Sequence, residues 1–117
     1  MVLRFMDNRK DDNYYIQKVL DDLKFLISHT KGISKESFSN NEILQDSVMF
    51  RFIQISEHIK KLTTEFKIEH KNIPWHSILG LRNRIVHEYG NVDITIVYQT
   101  IQKDIYELYE LFVSLTQ

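Results

Sequence analysis

Residues 44–62 read LQDSVMFRFIQISEHIKKL. Val48, Phe52, Ile55, Ile59 and Leu62 step along this stretch at intervals of four, three, four and three, and Phe66 adds a further four. An α-helix turns about 100° per residue, so side chains three and four apart share a face. A strand would scatter them over both sides of a sheet. The spacing therefore predicts one helix over 42–67 with a continuous apolar seam. Met49, Phe50 and Ile53 form a second apolar strip beside it. A helix with two strips has two neighbours to cover them, and one can belong to another chain.

The same period recurs on either side. Ile16, Val19, Leu20, Leu23, Leu26 and Ile27 predict a helix over 9–29, closed by Gly32 as a left-handed residue. The polar link GISKESFSNNE (32–42) offers Ser34 as the cap of a short turn and Asn40 or Asn41 as the cap of the next helix. After the polar IEHKN (68–72), Pro74 suits a first helical turn, where its missing N–H would be unpaired anyway. A third helix is expected over 74–89, stopped by Gly90. Asp93 is the expected cap of a fourth, over 94–115, which carries Ile94, Val97, Ile101, Ile105, Leu108 and Phe112. Short links between long helices make neighbours antiparallel. The expectation is an all-α, up-down antiparallel bundle of four main helices in one domain, 1–117.

Composition agrees. Three glycines and one proline in 117 residues are too few for the turns of an all-β domain. No cysteine is present, which removes disulfides, thiolate metal sites and cysteine nucleophiles, and fits a reducing cytoplasm. No apolar run reaches the length of a membrane span, and MVLRFMDNRKDDN is too polar and acidic for a signal peptide. The expected location is cytoplasmic, with no membrane partner. Net charge is −1, yet it is unevenly spread. Residues 58–87 hold six Lys/Arg against two Glu, and residues 88–117 hold one Lys against five Asp/Glu. The first segment suits a polyanion and the second a basic partner; two solvated helix faces of opposite sign are the plain alternative.

The chemistry concentrates in LRNRIVHEYG, 81–90. On a helical wheel Trp75, Ile78, Val86 and Tyr89 fall within about 40° of Arg82, so Arg82 and Tyr89 share the apolar stripe. His87 lies about 140° away, on a second stripe with His76, Gly80 and Asn83. Gly80 weakens a helix by about 1 kcal/mol and makes sense where something approaches the backbone closely. On a straight helix Arg82 and His87 do not aim at one point. Either the helix distorts, or a second copy completes the site across a two-fold axis, and the second solution is favoured. An arginine on an apolar stripe needs a partner, for which Asp46 and Glu57, three turns apart on the second helix, are candidates; otherwise it snorkels to solvent.

Arg82, four residues, His87, one residue and Tyr89 form the R-x4-H-x-Y pattern of the HepT-like toxins of the HEPN superfamily, which this chain resembles. IPWHSILGLRNRIVHEYG (73–90) followed by VDITIVYQTIQKDI (92–105) looks like that family's third and fourth helices, and LQDSVMFRFIQISEHIKKL its second. The first 40 residues carry the least of the likeness. Gly90 and Asn91 depart from the aromatic that often follows the family's tyrosine. The resemblance implies a HEPN-like bundle and a homodimeric, metal-independent ribonuclease toxin without a cofactor. Its partners would be RNA and a minimal nucleotidyltransferase antitoxin that transfers AMP to Tyr89.

The residue types suit that chemistry. RNA carries its own nucleophile, the 2′-hydroxyl. A neutral imidazole can take its proton near pH 7, which fits His87 as general acid/base. A guanidinium holds phosphate bidentately and opposes developing charge, which fits Arg82. His76 and His87 are about 16 Å apart along the helix axis, too far for one metal ion. Asn83 and His76 are weaker candidates for lining the cleft, Arg84 is a solvated or RNA-steering charge, and Trp75 is expected in the core. Two other readings stand beside the nuclease: a non-catalytic helical module that docks a nucleotidyltransferase and binds nucleotide or RNA, and a helical adaptor with no nucleic-acid role.

Overall fold

A computed structural model of the chain describes residues 11–86 and 93–117. Everything regular among the described residues is helical, with no strand. Helix α1 (Asp12–Thr30) is capped by Asp11, whose carboxylate accepts from the Tyr14 amide at 2.9 Å. It buries Ile16, Val19, Leu20, Leu23 and Leu26. Each such aliphatic side chain contributes about 1.5–3 kcal/mol when withdrawn from water. Gly32, at φ +73°, turns the chain out of α1 as expected, because a Cβ is disfavoured in that conformation.

Ser34 caps α2 (Lys35–Ser39), accepting from the Ser37 amide at 3.0 Å. Phe38 on this short helix is fully buried. Between the two asparagines weighed as caps, Asn41 serves α3 (Glu42–Lys60), accepting from the Leu44 amide at 3.0 Å. The seam residues Val48, Phe52, Ile55, Ile59 and Leu62 are buried.

The expected single helix over 42–67 is in fact two. It breaks after Lys60, and α4 (Thr64–Glu69) starts anew under a Thr63 cap. The cause is a competing set of hydrogen bonds. The Thr63 hydroxyl accepts from the Phe66 amide at 3.1 Å. The Asp12 carboxylate accepts from the Thr63 amide and hydroxyl, both at 2.8 Å. These contacts satisfy Thr63 outside a helix, so the ladder stops there.

Helix α5 (Trp75–Val86) begins directly after Pro74. The expected end of this helix, residues 87–89 with Gly90, lies outside the described residues. The first helix starts at Asp12 rather than at 9, because Asp11 caps it in an extended conformation. Asp93 caps α6 (Ile94–Gln99), accepting from the Thr95 and Ile96 amides at 2.9 and 3.4 Å. A π-helical turn, Thr100–Asp104, joins it to α7 (Ile105–Ser114). Residues four apart drift by about 40° per step in an α-helix. The wider i→i+5 turn reduces that drift, and Val97, Ile101 and Ile105 stay buried in one line.

α1 packs on α3 and α7, α3 on α5, and α2 on α3 and α6. Paired contacts fix the directions. Asp12 meets Thr63, Tyr15 faces His58 and Phe25 faces Arg51, so α1 and α3 are antiparallel. Trp75 meets Phe112, and Ile78 shares a groove with Asp104 and Leu108, so α5 and α7 are antiparallel too. The Tyr98 hydroxyl donates to the Ile33 carbonyl at 2.9 Å, tying the end of α6 to the link between α1 and α2. No helix among the described residues is long and apolar enough to cross a membrane.

Candidate functional site

The site helix is α5, and its first residue anchors it. The Trp75 indole N–H donates to the Lys67 and His70 carbonyls at 3.2 and 3.1 Å. The ring meets Phe112 edge-on at 5.9 Å and Phe66 at 6.4 Å. Trp75 is thus partly buried against the core rather than within it, and satisfies its polar edge on the last turn of α4 and the residue that ends it. One turn on, Ile78 and Leu79 pack against the core. Arg82 follows Trp75 and Ile78 by seven and four positions, so its backbone continues the inward stripe.

His76 and Asn83 are exposed and Gly80 between them is half-buried, so the second stripe of the wheel looks outward. A Cβ built on Gly80 meets nothing within 4 Å, so no described atom of this chain makes the close approach that would need a glycine. The side chains of Arg82 and Arg84 lie outside the described residues, as do His87 and Tyr89 entirely. The expected meeting of Arg82, His87 and Tyr89 therefore lies outside them as well.

Asp46 and Glu57 both stand on α3, which packs against α5. Asp46 is exposed, beside a surface hollow lined also by Phe25, Ser47, Phe50 and Arg51. Glu57 is partly exposed and lies 3.6 Å from Lys60. Their suggested pairing with Arg82 involves a side chain outside the described residues. No cluster of three or more metal-ligating side chains occurs among the described residues.

One polar cluster escaped the sequence reading. The Asp22 carboxylate, 7% exposed, accepts from the Arg51 guanidinium at 2.8 Å, and its second oxygen is 3.6 Å from His58 Nδ1. The Arg51 guanidinium also lies 3.9 Å from the Phe25 ring centroid. The signal was present: Asp22 sits three after Val19 and four before Leu26, on the buried stripe. His58 lies three after Ile55 and four before Leu62 in the same way. These residues join α1 to α3.

A family model, "Ribonuclease HepT-like", matches residues 19–115. The chain belongs to the HepT-like ribonuclease family. It is similar to "Putative RNase TTE0752" of Caldanaerobacter subterraneus subsp. tengcongensis, 37% identical over 94 residues, covering 80% of this chain and 84% of that protein. It is also similar to "Probable ribonuclease HepT" of Thermococcus cleftensis, 27% identical over 91 residues, covering 78% and 83%. "Gamma-glutamylcyclotransferase and putative RNase MJ0434" of Methanocaldococcus jannaschii is 31% identical over 102 residues, which is 87% of this chain and 46% of that longer protein. No solved structure matches the chain. The HepT-like likeness thus extends beyond the LRNRIVHEYG stretch to α1, α3 and the α6–α7 run.

Proposed function

We propose that this HepT-like chain is a metal-independent ribonuclease toxin working as a homodimeric, HEPN-type bundle of four main helices in the cytoplasm. The observation that carries the reading is the R-x4-H-x-Y spacing of Arg82, His87 and Tyr89 inside a chain matched to the family from residue 19 to residue 115. His87 takes the proton of an RNA 2′-hydroxyl. The freed oxygen attacks the neighbouring phosphorus, the P–O5′ bond breaks, and the departing 5′-oxygen takes up a proton. The products are a 2′,3′-cyclic phosphate and a 5′-hydroxyl. Arg82 holds the phosphate and opposes its growing charge. Asn83, Arg84 and His76 line or steer at the edge of the cleft, and Asp46 or Glu57 balances Arg82.

Two features support the dimer. On an ideal helical wheel Arg82 and His87 would diverge by about 140°, which a second copy would reconcile. The second strip of α3 is open: Phe50 is 55% exposed, with Met49 and Ile53 half-buried beside it. The partner antitoxin is a minimal nucleotidyltransferase. AMP transfer to the Tyr89 hydroxyl would plant phosphate where substrate phosphate binds, blocking RNA by bulk and like charge.

The deciding experiment incubates the purified chain and His87→Ala with RNA in EDTA. The reading expects cleavage by the wild-type chain alone, leaving cyclic-phosphate and 5′-hydroxyl ends. Products with a 5′-phosphate, or activity that returns only with Mg²⁺, would overturn the mechanism. RNA bound but left intact would select the non-catalytic module instead. Co-expression with the nucleotidyltransferase should raise the intact mass by AMP units, and Tyr89→Phe should abolish the gain.

A further inference from the structure

Between the start of α5 and the face of α7 lies a groove of about 280 Å³, lined by Pro74, Ser77, Ile78, Asp104, Glu107, Leu108 and Leu111. Its floor is apolar: Ile78, Leu108 and Leu111 are only partly covered by the rest of the chain. Its rim holds two exposed carboxylates, Asp104 and Glu107, and the Ser77 hydroxyl. No lysine, arginine or histidine is among these lining residues. Lys103, next in sequence to Asp104, lines an adjoining hollow that shares Asp104, together with Tyr98, Gln99 and Gln102.

The lining specifies its occupant. RNA and nucleotides are disfavoured, since the lining holds two carboxylates and no cation. A metal ion finds only two ligating side chains here. The volume sits at the lower limit of small-molecule pockets, and suits one long side chain. An aliphatic stem would cover the leucines while a cationic head reached the rim. Asp104, the last residue of the π-turn, and Glu107, in the first turn of α7, line the same groove, and a planar guanidinium with its several donors suits two neighbouring carboxylates. An ammonium, being a point charge, uses such a pair less fully.

We propose that this groove is a protein-docking site that takes an arginine from a basic amphipathic segment of a partner protein. The π-turn at Thr100–Asp104 helps to build it, because it sets where Asp104 leaves the buried line of Val97, Ile101 and Ile105. The proposal stands on the groove's shape and charge, independently of the nuclease reading.

The test uses the full chain and a labelled helical peptide with leucines on one face at three-to-four spacing and arginines on the other, followed by fluorescence anisotropy, with the same peptide carrying glutamate for arginine as control. The arginine peptide should bind and the glutamate peptide should not. Loss of a charge-assisted contact weakens binding by about tenfold or more. Asp104→Lys with Glu107→Lys should cause that loss. Ser77→Phe, which fills the groove without altering charge, should cause it too. Glu36→Lys with Glu42→Lys, reversing charge on α2 and α3, should leave binding unchanged. Thermal melts confirm that each variant is folded, and RNA cleavage by the Asp104/Glu107 variant should persist. Failure of the wild-type chain to bind, equal loss in the α2/α3 variant, or unaffected binding by Ser77→Phe would each overturn the docking site. Dissociation of a dimer by the Asp104/Glu107 reversal without peptide would assign the groove to a second copy and overturn the partner reading.

Discussion

Asp22 has been withdrawn from water with Arg51 as its hydrogen-bonded counter-ion, so removing Arg51 leaves a buried carboxylate with His58 Nδ1 at 3.6 Å beside it. Breaking a buried pair from one side costs about 3–5 kcal/mol. Arg51, whose side chain is 30% exposed, places this pair at the lower end of that range. Arg51→Met should therefore lower urea stability by about 3 kcal/mol. Asp22→Leu combined with Arg51→Met should recover most of the loss, because an apolar pair leaves no charge behind. A double variant as unstable as the single would show that the ion pair is not the cause. At the proposed site, His87→Ala should reduce cleavage by about 10²–10⁴ and Arg82→Ala by about 10²–10³. Because both act on one transition state, the double variant should fall well short of the product of the two. Melting curves beside the rates separate a lost contact from a loosened fold for Arg82→Ala.

The helical seams and most helix ends were legible because each rests on local chemistry. Ser34, Asn41 and Asp93 each cap the helix that begins one residue later, and Gly32 takes the left-handed turn. The break at Thr63 was not legible, since the carboxylate that holds it comes from Asp12, 51 positions away. The π-turn was hidden for another reason: the four-residue steps from Val97 to Ile105 read as ordinary helix unless the packing behind them is known. The buried Asp22 and His58 stood at apolar-seam positions, but partner and geometry are tertiary facts. Arg82, His87 and Tyr89 were legible as a spacing alone. The π-turn itself has a checkable consequence. It accommodates one residue more per turn than an α-helix. Deleting exposed Lys103 from it should convert the run to regular helix and leave Ile105, Leu108 and Phe112 facing inward, with a cooperative melt retained. Deleting Gln54 from the middle of α3 would rotate everything beyond it by about 100° and should abolish that melt. Equal disruption by both deletions would mean that the turn is not a local insertion.

At the scale of the molecule, the open strip of α3 is the surface expected to meet a second copy. Phe50→Glu should shift sedimentation from dimer to monomer and reduce cleavage with it, while the thermal melt stays close to that of the parent chain. A dimer that survives the substitution would place the interface elsewhere. The clasp between Asp12 and Thr63 reaches across the same architecture and alters how the chain trades hydrogen with solvent. An amide at an exposed helix break ordinarily exchanges within the fastest class. The Thr63 amide is held by the carboxylate of Asp12, the first residue of α1, so its exchange requires that contact to open. Its protection should exceed that of an amide open to water. In Asp12→Ala that protection should be lost, making this one amide a clock for the release of the first turn of α1 from the α3–α4 break.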